Sequence, residues 1–352
     1  MRTYYLIVTF LITNYISAQT IGGNSVFNFL NLPNTPQLTG LGGVNVSVAS
    51  KDIGLAFNNP ALLNKDMHTQ MHAVFNSFYA GINSYHLSFG YRNEKLQTNF
   101  GWGLNFIDYG KITETDAMGN IYGAIKPNDW VMQVFASRDY LQKWHYGATL
   151  KFISSNYGIY RANGIAMDVG VFFKDTVNLI SASVLAKNMG FQLKKYSGTT
   201  PDELPFDLQA GITAKLRNAP LAFSLTGYHL HQFDTRYNDT LFNENNFGAN
   251  SSGNFTFDKI FRHFVIAAQV FPIPQLEFSF GYNHLRRQEL NITNTNSGLN
   301  GFSIGTGLIV KKLQIRYART YYQNNTAYNQ LGLNLRLNEY FGLGKFGERI
   351  GW

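Results

Sequence analysis

The 352-residue sequence contains no cysteine. That absence excludes disulfide frameworks and every metal site built from thiolates. Beyond the N-terminus there is no window of about 18 continuous apolar residues, so the sequence predicts no transmembrane helix. The P-loop, HExxH, GxSxG and dinucleotide-binding motifs are missing too. We therefore expect a protein that is not an enzyme and that binds no cofactor.

Charged residues are also scarce, at 14% of the chain, whereas aromatic residues reach 15% and glycines number 33. This balance is unusual for a soluble protein and typical of an outer-membrane barrel with aromatic girdles. The net charge of +8 comes from scattered basic residues, so nucleic-acid binding is not expected. Two interpretations of this charge remain open: attraction to anionic lipid and lipopolysaccharide, or a lumen and rim lined with Lys and Arg.

The first 18 residues have the pattern of a secretory signal peptide. Arg2 precedes a short, mostly apolar stretch at 4–16, and the small residues Ser17 and Ala18 come before Gln19. This order of charge, apolar run and small residues predicts cleavage near Ala18. We expect the mature chain to be exported, with the outer membrane of a Gram-negative bacterium as its destination.

From 67 to 341 the chain is dominated by runs in which apolar and polar residues alternate. In the clearest run, Leu331, Leu333 and Leu335 fall on one face of a strand, opposite Gln330 and Asn334. Alternation alone fits either a soluble β-sandwich or an all-β transmembrane antiparallel β-barrel of about 14 strands, whose apolar face contacts lipid. The predicted strands are 67–78, 82–92, 97–109, 128–140, 142–155, 161–175, 177–189, 206–217, 220–231, 261–271, 275–286, 299–311, 313–321 and 329–341.

The lengths of the connections favour the barrel. In a barrel that starts and ends in the periplasm, every odd-numbered connection lies outside the cell, and outer loops are the longer ones. All the long connections are odd-numbered here, whereas a soluble sandwich has no reason to sort its loops in this way. The long connections are 110–127, 190–205, 232–260, 287–298 and 322–328.

The segment at 19–66 is rich in Gly, Asn and Pro and shows little alternation. Pro60 disfavours a helix at the residue before it and suits the first position of a short helical turn after it. The segment is predicted to be a hatch inside the lumen, held by amide hydrogen bonds, or else an ordinary turn-rich arm. The candidate hatch residues are Gly42, Gly43, Asn45, Asn58, Asn59, Pro60 and Ala61.

No metal site is expected. His68 and His72 are four apart, which suits a metal only on a helix, and they fall on a predicted strand. His229 and His231 share a strand face, and the only carboxylate next to them in sequence is Asp234. For this second pair a structural role is favoured.

Four stretches of the N-terminal region, 22–23, 26–33, 41–47 and 58–63, resemble PorQ-like proteins of the type IX secretion system of Bacteroidetes. The broader pattern, a Gly-Gly segment followed by Asn-Pro-Ala, is similar to FadL-like outer-membrane proteins, in which it forms an N-terminal hatch inside a 14-stranded barrel. The sequence thus divides into four predicted regions: the signal peptide at 1–18, the hatch at 19–66, the barrel at 67–341 and a tail at 342–352.

Two functions follow from this resemblance. A PorQ-like chain is a non-enzymatic membrane anchor of the attachment complex. It holds a PorZ-like surface protein near PorU and PorV, and PorU links cargo to lipopolysaccharide. In that case the outer loops are docking candidates, with Asn243, Asn246, Phe247 and Asn254 in the longest one. The alternative is a FadL-like transporter of hydrophobic small molecules, which the polar lumen faces disfavour.

Overall fold

The computed structural model describes most of the chain. The described residues are 25–338, apart from 117, 234, 236–256, 291–297, 311–312 and 324–325. The predicted signal peptide at 1–18 and tail at 342–352 lie outside them. The docking candidates Asn243, Asn246, Phe247 and Asn254 do so too.

Fourteen antiparallel strands form a closed barrel, which confirms the predicted fold class. Each strand pairs with its neighbours along the wall, and β1 closes the barrel against β16, with Gln70 opposite Arg336 and Ser77 opposite Asn329. Two further strands, β4 and β5, form a separate hairpin. The strands are β1 (Gln70–Ser77), β2 (Asn83–Asn93), β3 (Thr98–Asp108), β4 (Ile112–Thr115), β5 (Ile121–Ile125), β6 (Asn128–Tyr140), β7 (Trp144–Tyr157), β8 (Tyr160–Asp175), β9 (Ile180–Lys194), β10 (Asp207–Lys215), β11 (Leu221–Gly227), β12 (Phe264–Ile273), β13 (Leu276–Asn283), β14 (Phe302–Ile309), β15 (Leu313–Gln323) and β16 (Thr326–Arg336).

The two faces of the wall have the predicted polarity. Leu331 is 52% exposed on the outer face, while its neighbour Gln330 is fully buried on the inner face. The inward positions Gln209, Glu277 and Asn283 are buried as well. An apolar belt facing outwards and polar side chains facing inwards identify a barrel of the outer-membrane type.

The long connections all leave the same end of the barrel, which we call the outer end, where the connections after β1 and β7 are short. At the opposite, inner end every connection is short. Some bounds differ from those predicted. The last outer connection is shorter than the predicted 322–328, because β15 and β16 pair as far as Gln323 and Thr326. The loop at 110–127 contains the β4–β5 hairpin, which sequence alternation over so few residues did not reveal.

The segment from 25 to 69 lies inside the barrel, and we call it the hatch. It starts at the outer end, where Val26 N donates to Glu203 O (3.0 Å), and joins β1 at the inner end. Its α-helices are α1 (Pro36–Gly40) and α2 (Ile53–Asn58), and its 3-10 turns are Asn28–Asn31, Pro60–Leu62 and Lys65–Met67. Tyr79–Gly81 is a 3-10 turn between β1 and β2, and the outer end carries α3 (Phe257–Phe261) and α4 (His284–Glu289). None of the helices in the described residues is long and apolar enough to cross a membrane.

Candidate functional site

The hatch touches the wall on several sides. Helix α1 packs on β13 to β16, α2 packs on β1 to β3, and the Pro60–Leu62 turn packs on β6 to β8. Short polar side chains begin these elements: Thr35 Oγ1 accepts the N–H of Leu38 (3.2 Å), and Asp52 Oδ1 accepts that of Gly54 (2.9 Å). Such caps satisfy backbone donors that the first turn of a helix leaves free. The cross-section of the lumen is therefore divided among three short elements.

The predicted hatch residues Gly42 and Gly43 form the turn that follows α1. Their φ angles are +92° and +89°, in the left-handed region that glycine adopts without strain. A Cβ on Gly43 would collide with the Arg286 guanidinium, and Asn283 Nδ2 donates to Gly42 O (3.3 Å). This turn thus lies against β13 and α4 near the outer end.

The amide of Asn45 joins the hatch to the wall. Asn45 Oδ1 accepts the backbone N–H groups of Ser47 (3.1 Å) and Val48 (2.9 Å). Its Nδ2 donates to Ser224 Oγ (3.0 Å) on β11. One side chain therefore closes a local turn and fixes that turn to a strand.

The amide of Asn59 also joins the hatch to the wall. It is fully buried; Oδ1 accepts the N–H of Ala61 (3.1 Å), and Nδ2 donates to Val46 O (3.0 Å) and Ser183 Oγ (2.9 Å). The turn at Pro60 and Ala61 then rests on the wall, since a Cβ added to Gly147 would lie 2.5 Å from the Pro60 carbonyl carbon.

The remaining predicted hatch residue, Asn58, bonds within the hatch. Its Nδ2 donates to Asn34 Oδ1 and to Gly54 O (3.3 Å). The structure therefore brings Asn45 and Asn59 to the wall and leaves Asn58 to hold two parts of the hatch together.

A buried ion network, which sequence reasoning missed, fastens the hatch on the opposite side. Arg316 on β15 contacts Asp52 of the hatch (2.7 Å) and Glu277 on β13 (3.4 Å). Asn334 Nδ2 donates to Asp52 Oδ1 (3.1 Å), and Gln37 Nε2 donates to Glu277 Oε1 (3.2 Å). Two features of the sequence could have indicated this network. Asp52 is one of the few charged residues in the segment at 19–66, and Arg316 falls on the polar face of a predicted strand.

Above the hatch, the outer end contains a cavity of about 490 Å³. Hatch residues form its floor, and the connections after β9, β11 and β13 form its sides. Apolar and polar side chains are mixed along these walls. The lining includes Asn28, Leu32, Val44, Leu204, Phe206, Tyr228, His229, His231, Leu285 and Glu289.

A smaller recess of about 60 Å³ continues inwards from this cavity. Leu32, Val44 and Tyr228 line both spaces, and Lys187 and Asp207 line only the inner one. A 490 Å³ cavity is within the size range of small-molecule sites, whereas the recess is too small for more than a few waters. The hatch therefore closes the path below the outer cavity.

The wall is irregular beside this recess. The register of β8 and β9 shifts between Met167 and Val169, and Asn188 has a φ of +59°. The β9–β10 ladder begins only at Lys187 and Asp207, so the outer part of β9 has no strand partner on that side. The 195–206 connection covers it instead, with Asn188 Nδ2 donating to Pro205 O (2.9 Å).

Of the two histidines predicted on the first strand, His72 lies on β1, whereas His68 precedes that strand. His68 Nδ1 accepts the backbone N–H of Arg92 (3.0 Å), and His72 is buried beside Asp52 (3.7 Å). His229 and His231 lie beyond the end of β11 rather than on a strand, next to Asp207. Burial lowers the pKa of both imidazoles, and the Asp207 carboxylate partly opposes that shift.

The β4–β5 hairpin protrudes from the outer end. Every residue of β4 is exposed, and so are the apolar side chains of Ile121 and Tyr122, each at 72%. Two-stranded hairpins are marginal by themselves, and exposed apolar groups commonly mark an interaction surface.

No protein-family profile matches the chain, and no curated protein sequence does. Several solved barrels are similar in structure. A deltaS2 mutant of the TodX monoaromatic hydrocarbon channel has a TM-score of 0.47 and 12% identity, over 86% of this chain and 97% of that one. CdiB from Acinetobacter baumannii has a TM-score of 0.36 and 11% identity, over 76% and 59%. A mutant Rh. blastica porin has a TM-score of 0.30 and 7% identity, over 76% and 97%.

Proposed function

We propose that this chain is an outer-membrane channel for small, largely apolar molecules, closed by its hatch in the described state. The observation that carries the proposal is the 490 Å³ cavity at the outer end, floored by the hatch. Leucine, valine, phenylalanine and tyrosine side chains lie beside polar groups along its walls, and its volume suits a small ligand. This function is the alternative raised by the sequence, and it needs no partner protein.

The irregular wall supports a route out of the lumen. Where an antiparallel ladder holds two strands together, every second residue pair exchanges two backbone hydrogen bonds, and opening a gap requires breaking several of them. Beside the recess, the outer part of β9 is covered by a loop through contacts such as Asn188 to Pro205 and Gln192 to Asp202. A ligand that displaces the hatch would meet this weaker part of the wall.

Filling the cavity tests the proposal. Leu204→Trp adds a large side chain to the cavity wall, whereas Leu331→Trp places the same side chain on the lipid face as a matched control. The measurement is uptake of the apolar dye N-phenylnaphthylamine by whole cells at equal barrel abundance. We expect uptake to fall several-fold for L204W and to stay unchanged for L331W. Uptake that is the same with and without the barrel would contradict a channel.

A second candidate function is the PorQ-like anchor, and the exposed β4–β5 hairpin is the observation that favours it. An apolar protrusion on the cell-surface side is suited to holding a PorZ-like partner near PorU-like and PorV-like proteins, with lipopolysaccharide as the cargo acceptor. The anchor proposal also implies that the host is a Gram-negative bacterium of the Bacteroidetes type.

Replacing 111–125 by a short Gly-Ser linker tests the anchor. The tagged barrel is purified from outer membranes in mild detergent, and its companions are identified by mass spectrometry. We expect the unaltered chain to bring down a large surface protein with a sortase-like companion, and the shortened chain to lose both. An unaltered barrel that arrives alone would exclude the anchor.

A further inference from the structure

We propose that Asp207, His229 and His231 form a binding site for a divalent transition metal of the zinc type at the outer end of the barrel. One ligand atom from each residue lies within 4.8 Å of the others, and His229 Nδ1 is 3.6 Å from Asp207 Oδ1. Tetrahedral zinc, with bonds of about 2.0–2.2 Å, brings neighbouring ligand atoms to about 3.4 Å from one another. The cluster is therefore close to metal-binding geometry.

The donor types suit the metal. Two imidazoles and one carboxylate are nitrogen and oxygen ligands of the kind that zinc prefers when no thiolate is present. His231 Nδ1 is buried and has no hydrogen-bond partner among the described residues. A buried ring nitrogen without a partner costs free energy, which a metal bond would offset.

Neighbouring groups hold these ligands in place. Asp207 Oδ1 accepts the backbone N–H of His229 (2.6 Å), and its Oδ2 accepts Gln209 Nε2 (2.6 Å). The ring nitrogens of His263 lie 3.0 Å from Tyr228 O and 3.2 Å from Phe233 O, at the two ends of the turn that carries both ligand histidines. Supporting contacts of this kind orient ligands and raise metal affinity.

The site would leave a coordination position open. Both histidines line the 490 Å³ cavity, so a fourth ligand could be water or a donor group of a molecule in that cavity. The metal would also link the start of β10 to the base of the long connection at 228–263. This inference stands independently of the proposed channel, because it rests only on the three ligands and their supports.

One neighbouring charge opposes the metal. Lys187 lies across the β9–β10 ladder from Asp207 and lines the same inner recess. Its ammonium group reduces the attraction of the site for a second cation. Removing that charge by Lys187→Met should therefore raise zinc affinity by several-fold, an effect not expected of weak, scattered zinc binding.

Zinc titration of the mature chain, prepared without a histidine tag and kept in detergent, tests the site. We expect isothermal titration calorimetry to show one zinc per chain. His229→Ala/His231→Ala should weaken binding by about 100-fold or more, and Asp207→Asn by about 10-fold. His145→Ala is the matched control, because His145 pairs with Asp139 (2.6 Å) at the inner end, away from the proposed site. The zinc affinity of this variant should equal that of the unaltered chain.

Two further readouts separate loss of the site from loss of the fold. Zinc should raise the melting temperature of the unaltered chain and of H145A, but not that of the double variant, because a ligand stabilises only the state that binds it. X-ray absorption at the zinc edge should show two imidazoles and an oxygen ligand. The inference is overturned if the unaltered chain shows no saturable zinc binding, or if a folded double variant binds zinc as tightly as the unaltered chain.

Discussion

The inner and outer halves of the barrel are closed in different ways. At the inner end, short turns join the strands, and the ion network of Asp52, Arg316 and Glu277 fastens the hatch to the wall. At the outer end, long connections surround a cavity whose floor is the hatch. The hatch is therefore fixed to the barrel wall at the inner end, whereas at the outer end it forms the floor of a cavity. Breaking either half should have distinct consequences.

The largest effect is expected from the inner ion network. Arg316→Met removes the guanidinium that faces two buried carboxylates, which should lower the free energy of unfolding by about 3–5 kcal/mol. Urea unfolding in micelles, followed by tryptophan fluorescence, measures this change.

The triple variant D52N/E277Q/R316M is the control, because it replaces the buried charges without leaving any of the three unpaired. It should recover most of the lost stability, since a buried ion pair contributes little beyond what neutral groups supply. An R316M chain as stable as the unaltered one would show that the network does not fasten the hatch.

A smaller effect is expected where the hatch rests on a wall glycine. Gly147→Val would push Pro60 away from β7 and should cost about 1–3 kcal/mol through overpacking. The same urea titration measures it, together with protease cleavage of the hatch. Gly123→Ala in the β4–β5 hairpin is the control, because an added Cβ meets no atom within 4 Å there. Equal stability of the two variants would argue against this contact.

The smallest effect on stability should come from the outer hairpin. Because β4 is fully exposed and pairs only with β5, replacing 111–125 by a Gly-Ser linker should change the unfolding free energy by less than about 0.5 kcal/mol. Thermal melting of the two proteins checks this directly. A large loss of stability would mean that the outer end supports the barrel and does not merely surround its mouth.

The wall could be predicted from sequence because its signal is local. The strand at 128–140 has the predicted bounds, and Leu331 and Gln330 fall on the predicted faces. Alternation reports which side of one strand meets lipid, and that needs no knowledge of distant residues. Alternation could not show where β11 ends, because the residues after Gly227 still alternate in polarity although they no longer belong to a strand of the wall.

The site depends on contacts between residues far apart in sequence. The Gly-Gly and Asn-Pro-Ala segments suggested a hatch, but nothing local to Asp52 indicates that Arg316 is its partner. The same holds for Asp207, which lies 22 residues before His229 yet bonds to its backbone. The sequence alone pointed to Asp234 as the carboxylate beside the two histidines, because it is the nearest one along the chain. Sequence distance gives no information about a contact with Asp207.

The chain contains no cysteine, so an engineered pair reports directly on whether the hatch lies against the wall. A Cβ built on Gly170 lies 3.3 Å from Ala61 Cβ, near the 3.5–4.5 Å typical of disulfides, and the Asn59 side-chain oxygen must shift to make room for it. We expect Ala61→Cys/Gly170→Cys to cross-link under mild oxidation, and Ala61→Cys/Val169→Cys to remain reduced because Val169 faces lipid. A folded barrel in which neither pair cross-links, or both do equally, would contradict a hatch fixed inside the lumen.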